Sequence, residues 1–73
     1  PYNSAFESTY EIVLKNAKTE PVTVTVREPI PGDWEITKES HSHEKISSNA
    51  AEWKVTIPAE NSESLTYRVL VKY

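Results

Sequence analysis

The stretch "EPVTVTVREPIPGDWEI" (residues 20–36) decides the fold class. Its first half alternates Val22, Val24 and Val26 with Thr23, Thr25 and Arg27. Alternation with a period of two marks a half-buried strand, and β-branched side chains fit the pleat. The second half stops that strand. Pro29 and Pro31 each fix φ near about −65° and hold the preceding residue extended. Gly32, the only glycine of the chain, reaches backbone angles that are costly for other residues. Asp33 can bond its own backbone in a turn. Trp34 and Ile36 then begin a new apolar face. Pro29, Ile30, Pro31, Gly32 and Asp33 therefore read as a stiff crossover between two sheets, with Ile30 tucked beneath it and Trp34 plugging the core. A ligand loop is the competing reading of the same five residues.

The same period continues on both sides. Phe6, Tyr10, Ile12 and Leu14 share one face of "FESTYEIVLKN" (6–16). "HEKIS" (43–47) is a short strand around Ile46. Trp53, Val55 and Ile57 alternate in "AEWKVTIP" (51–58), and Leu65, Tyr67, Val69 and Val71 in "ESLTYRVLVKY" (63–73). Turn chemistry separates these runs: "NAKTEP" (16–21), "SSNA" (47–50) and "PAENSE" (58–63). "SSNA" fits a tight hairpin with Asn49 at positive φ. Pro58 ends its strand because it lacks the ladder donor. No helical stripe and no repeat interrupts the pattern. Six to seven short strands with turns between them predict an all-β, antiparallel, immunoglobulin-like β-sandwich. The long first and last strands favour that arrangement over a small closed barrel.

Size and charge narrow the functional classes. The chain has 73 residues, which predicts a single domain over residues 1–73. A chain this small buries only roughly 60% of its unfolded surface, enough for one core and no deep cleft. It contains no cysteine, so disulfides, thiol catalysis and cysteine-ligated zinc are excluded. No apolar run approaches the ~20 residues of a membrane-spanning helix. The net charge is −3, and the cations are scattered from Lys15 to Lys72. Nucleic-acid binders concentrate positive charge on one face, so no nucleic-acid partner is expected. The chain opens at Pro1 and closes at Tyr73 within a strand pattern. We expect a domain from the C-terminal part of a larger protein, monomeric in isolation, with Tyr2 and Tyr73 exposed at its ends.

These residues also carry a family resemblance. "EPVTVTVREPIPGDWEITKESHSHEK" (20–45), followed by "WKVTIPAENSESLTYRVLVKY" (53–73), resembles the C-terminal β-domain of the mucoidy-inhibitor-A-like proteins of bacteria and archaea. The resemblance runs from Tyr10 to Val71. "EPVTVTVREPIPGDWEI" and "SLTYRV" (64–69) are its most specific parts. It implies an immunoglobulin-like terminal module and carries no catalytic motif across. "SHSHEK" (40–45) departs from the family pattern, where an apolar or aromatic residue tends to replace His43. Any role of the two histidines would then be particular to this protein.

Few constellations carry chemistry. His41 and His43 lie two apart, with Glu39 nearby, and on one strand all three would share a face. A metal site needs a fuller and tighter ligand set, so the bland reading is a polar strand end, and no metal or cofactor is assigned. There is no Gly-x-Ser-x-Gly elbow and no glycine-rich phosphate loop. Trp34, Trp53, Tyr10 and Tyr67 are in phase with aliphatic residues, which reads as core rather than as a stacking platform. Val13 and Leu70 break phase on the first and last strands. If those strands pair, the two would form an outer apolar patch where a neighbouring domain docks.

The sequence thus predicts a non-enzymatic structural or protein-interaction module. Its partner would be the rest of its own chain or another protein, met at Val13 and Leu70 or at an open edge. The alternatives are a carbohydrate-type ligand site in the loops Pro29–Asp33 and His41–Glu44, or a module modulated by metal at His41 and His43.

Overall fold

The alternating runs form six strands, and no helix occurs among the described residues. The computed structural model describes residues 4–72, so Tyr2 and Tyr73 lie outside the described residues. The strands are β1 (Ala5–Asn16), β2 (Val22–Pro29), β3 (Asp33–Glu39), β4 (His43–Ser47), β5 (Ala50–Ile57) and β6 (Asn61–Lys72). They make two antiparallel sheets ordered β1-β6-β3 and β2-β5-β4. The chain is an all-β sandwich. Only the β4–β5 hairpin stays within one sheet; every other connection crosses between them.

The central strands β5 and β6 carry most of the core. Ala51, Trp53, Val55 and Ile57 point inward from β5, and Leu65, Tyr67, Val69 and Val71 from β6. All eight are buried, and each large aliphatic among them contributes roughly 1.5–3 kcal/mol of transfer free energy. Ile12, Leu14, Val24, Val26 and Ile36 pack against this core from the flanking strands.

The opening stretch is a sheet-to-sheet crossover. β2 ends at Pro29 in one sheet and β3 begins at Asp33 in the other. Ile30 is buried, and its N–H donates to the Asn49 carbonyl at 2.8 Å. Gly32 takes φ 79°, a left-handed angle that explains the glycine. Trp34 is buried, with its Nε1–H donating to the Ser48 carbonyl at 3.0 Å. The crossover is thereby pinned to the β4–β5 hairpin.

Three expectations need correction. Asn49 does not take positive φ; Glu60 does, at 52°, and its N–H bonds the Lys18 carbonyl at 2.9 Å. The short strand at 43–47 forms as β4, with His43 and Lys45 opposite Trp53 and Ala51, and Ile46 exposed where the β4–β5 register shifts. Tyr10 is not core: it occupies the inward face of β1, yet no strand covers it, and it remains 48% exposed. Val13 and Leu70 do not make one patch. Their strands pair, but Val13 faces Ser64 and Leu70 faces Glu7, which separates them by roughly 20 Å along the ladder.

One residue missed in the sequence closes an end of the sandwich. Asn16 is buried, and its Nδ2 donates to the carbonyls of Glu20 (2.8 Å), Pro58 (3.1 Å) and Ile57 (3.2 Å). Its Oδ1 accepts from the Lys18 N–H at 2.9 Å. The side chain stitches the β1–β2 loop to the β5–β6 loop. A signal for it existed: Asn16 continues the inward phase of Ile12 and Leu14, where a polar residue needs buried partners.

Candidate interaction groove

The two flanks of the sandwich are finished differently. At the β3–β4 flank, polar groups close the gap between the sheets. Glu39, from the end of β3, accepts a hydrogen bond from His43 Nδ1–H at 2.8 Å and one from Trp53 Nε1–H at 3.2 Å. The His43 ring lies between Trp34 and Trp53, 6.1 Å from each centroid. Lys45 Nζ sits 4.8 Å from the Trp34 ring centroid, covering that indole with a cation and its aliphatic stem. Side chains with polar tips thus seal this flank.

At the β1–β2 flank no such seal exists among the described residues. Phe6 and Tyr10 belong to the inward face of β1 but are 44% and 48% exposed. Between them and the crossover lies a groove of about 250 Å³. Pro29, Ile30 and Pro31 form one wall, and Tyr67, Val69 and Val71 form the floor. Glu28 reaches it from the inward face of β2, opposite Ala51, and Glu11 stands at the rim.

The aromatic floor is continuous with the core. Tyr10 lies across from Tyr67 in the ladder, with ring centroids 5.3 Å apart. Tyr67 in turn stacks on Trp53 at 4.4 Å, with an interplanar angle of 27°. Burial, with the Glu28 carboxylate and Tyr10 adding to it, pushes the Tyr67 hydroxyl up to about 12 from its ordinary 10.0. Tyr67 is therefore a neutral hydrogen-bonding group at physiological pH.

The residues singled out in the sequence fall in different places. Pro29, Ile30 and Pro31 line the groove, whereas Gly32 shapes the turn and Asp33 begins β3, paired with Lys72. Glu39 and His43 come together at the opposite flank. His41 lies before β4, and its Nδ1 is 2.7 Å from Ser40 Oγ. Among the described residues, no group of three or more histidines and carboxylates is placed to hold a metal ion. Trp34 and Trp53 are buried and offer no open face to a sugar ring. The outer face of the β2-β5-β4 sheet carries an Arg27–Glu52 ion pair at 3.0 Å and a Thr23–Thr56 hydrogen bond at 3.0 Å, whereas Val13 is an exposed apolar residue on the outer face of β1.

Phe6 and Tyr10 were legible as strand residues but not as groove residues. Alternation shows which side of a strand is apolar. It does not show whether a second sheet reaches far enough to cover that side. No helix among the described residues is long and apolar enough to cross a membrane. No family model, curated protein or solved structure matches the chain.

Proposed function

We propose that this chain is a non-enzymatic interaction module that binds a partner protein along its β1–β2 flank. One observation carries the reading: on the inward face of β1, Tyr10 stays 48% exposed beside a groove whose floor is the hydrophobic core. A small domain gains stability by burying such residues. An inward-facing tyrosine left half exposed, next to two edge strands, suits a surface completed by another chain.

The strand order supports an immunoglobulin-like reading of the sandwich. β2-β5-β4 follows the B-E-D order of that fold, and β6-β3 follows F-C. β1 stands at the edge position that the last strand of that fold would take. The resemblance to the mucoidy-inhibitor-A-like proteins belongs to the same reading, since its most specific stretch forms β2, the crossover and β3. A terminal module of this kind works by surface complementarity and has no need of a catalytic pocket.

Site-specific photo-crosslinking in the cells that make the protein tests the proposal. A benzophenone side chain at position 10 should yield a discrete adduct with another polypeptide. The same group at position 25, on the outer face of β2, should not. Equal adducts from both positions, or none from position 10, would remove the proposal.

A further inference from the structure

The groove has a charge character as well as an apolar one. Among the described residues its lining includes two carboxylates, Glu11 and Glu28, and no cation. Glu28 is half-buried, and it has no hydrogen-bond or ion-pair partner among the described residues. A cation entering the groove would therefore meet a carboxylate that no other described side chain already pairs. The elevated Tyr67 hydroxyl reports the same field from the other side, because Glu28 contributes to it.

Three further features define what would fit. Phe6 and Tyr10 present exposed rings to the same space, and ring faces attract cations. The volume of about 250 Å³ falls below the roughly 300–1,000 Å³ of small-molecule sites and suits a side chain better than a free ligand. β1 is an edge strand of 12 residues. An extended segment pairing with its open edge would drop alternate side chains into the groove.

We infer that the groove receives a basic side chain, arginine first, carried between apolar residues on an extended segment of a partner protein. This rests on the interaction reading above and deepens it. Glu28 receives the guanidinium at the base of the groove, with Glu11 adding charge at the rim. Phe6 and Tyr10 cover the cation, and Pro29 and Pro31 contact the flanking apolar residues. Arginine is favoured over lysine because its planar fork both stacks on rings and pairs with a carboxylate.

The test is an amide-shift titration of the isotope-labelled chain with acetyl-Val-Arg-Val-amide at low salt. The probe series includes the same peptide with leucine or glutamate at the centre. The expected result is shifts centred on Tyr10, Glu28, Ile30 and Tyr67, with the arginine peptide binding at least about tenfold more tightly than the other two. Glu28→Gln should weaken the arginine peptide by about tenfold while keeping a dispersed spectrum, and Glu11→Gln should weaken it less. Three results would overturn the inference: leucine and arginine peptides binding alike, Glu28→Gln leaving the arginine affinity unchanged, or shifts elsewhere. If the leucine peptide binds the groove equally well, the interaction reading stands and only the charge preference fails. That outcome is distinct from loss of the crosslink at position 10, which would sink the interaction reading itself.

Discussion

The two flanks of this sandwich solve one problem in opposite ways. Each must manage aromatic residues at the gap between two short sheets. At the β3–β4 flank, Trp34 and Trp53 are covered by amphipathic side chains whose polar tips find partners: Glu39 holds His43 and the Trp53 indole, and Lys45 lies over Trp34. At the β1–β2 flank, Phe6 and Tyr10 remain 44% and 48% exposed. Glu11 and Glu28 add carboxylates, rather than a covering cation, to the same groove. A domain of 73 residues has too little surface to hide every large side chain. Long polar residues close one flank, and the other keeps the groove proposed as the binding surface.

The largest expected effect comes from opening the sealed flank. Glu39→Ala removes the acceptor of both His43 and the Trp53 indole and leaves a buried N–H unsatisfied, which should cost about 1–3 kcal/mol. Urea denaturation followed by tryptophan fluorescence measures this directly. A loss below about 0.5 kcal/mol would mean that the polar seal contributes no more than an ordinary surface contact.

A second effect separates the flanks by pH. Tyr67 stays neutral to about 12 when folded, whereas the unfolded tyrosine ionises near 10.0. The unfolded state then binds fewer protons across that window, so stability falls as pH rises from about 10 to about 12. Below that window this group leaves stability unchanged. Glu28→Gln should bring the Tyr67 titration, read from its ring resonances, back toward the ordinary value. An unmoved midpoint would place Glu28 outside the groove.

The smallest effect belongs to the open flank. Tyr10→Ser should cost less than Glu39→Ala, about 0.5–1 kcal/mol, because the ring is half exposed and its ring contact is with Tyr67. The same substitution should abolish partner binding. A stability loss comparable to that of Glu39→Ala would show that the two flanks are equally closed.

The sequence carried the strands, the crossover at Pro29–Asp33 and the sandwich itself, because alternation and proline chemistry act locally. Its limits are equally physical. In β4, His43 and Lys45 stand opposite the inward Trp53 and Ala51, so the aliphatic Ile46 is left exposed, and that pairing is set by β5 rather than by β4 alone. Tyr10 follows the inward phase faithfully, yet exposure depends on the reach of the opposite sheet, which no single strand encodes. Val13 and Leu70 both point outward on paired strands, but their separation depends on register, and register is set by the whole β1–β6 ladder. Asn16 carried its signal in phase alone, as a polar residue ending an apolar face.

The contrast between the flanks is tested most directly by solvent relaxation of the aromatic ring protons with a soluble, neutral gadolinium chelate. The account predicts strong enhancement at Phe6 and Tyr10 and weak enhancement at Trp34, Trp53 and Tyr67. Tyr10 as protected as Tyr67, or Trp34 as accessible as Tyr10, would contradict it.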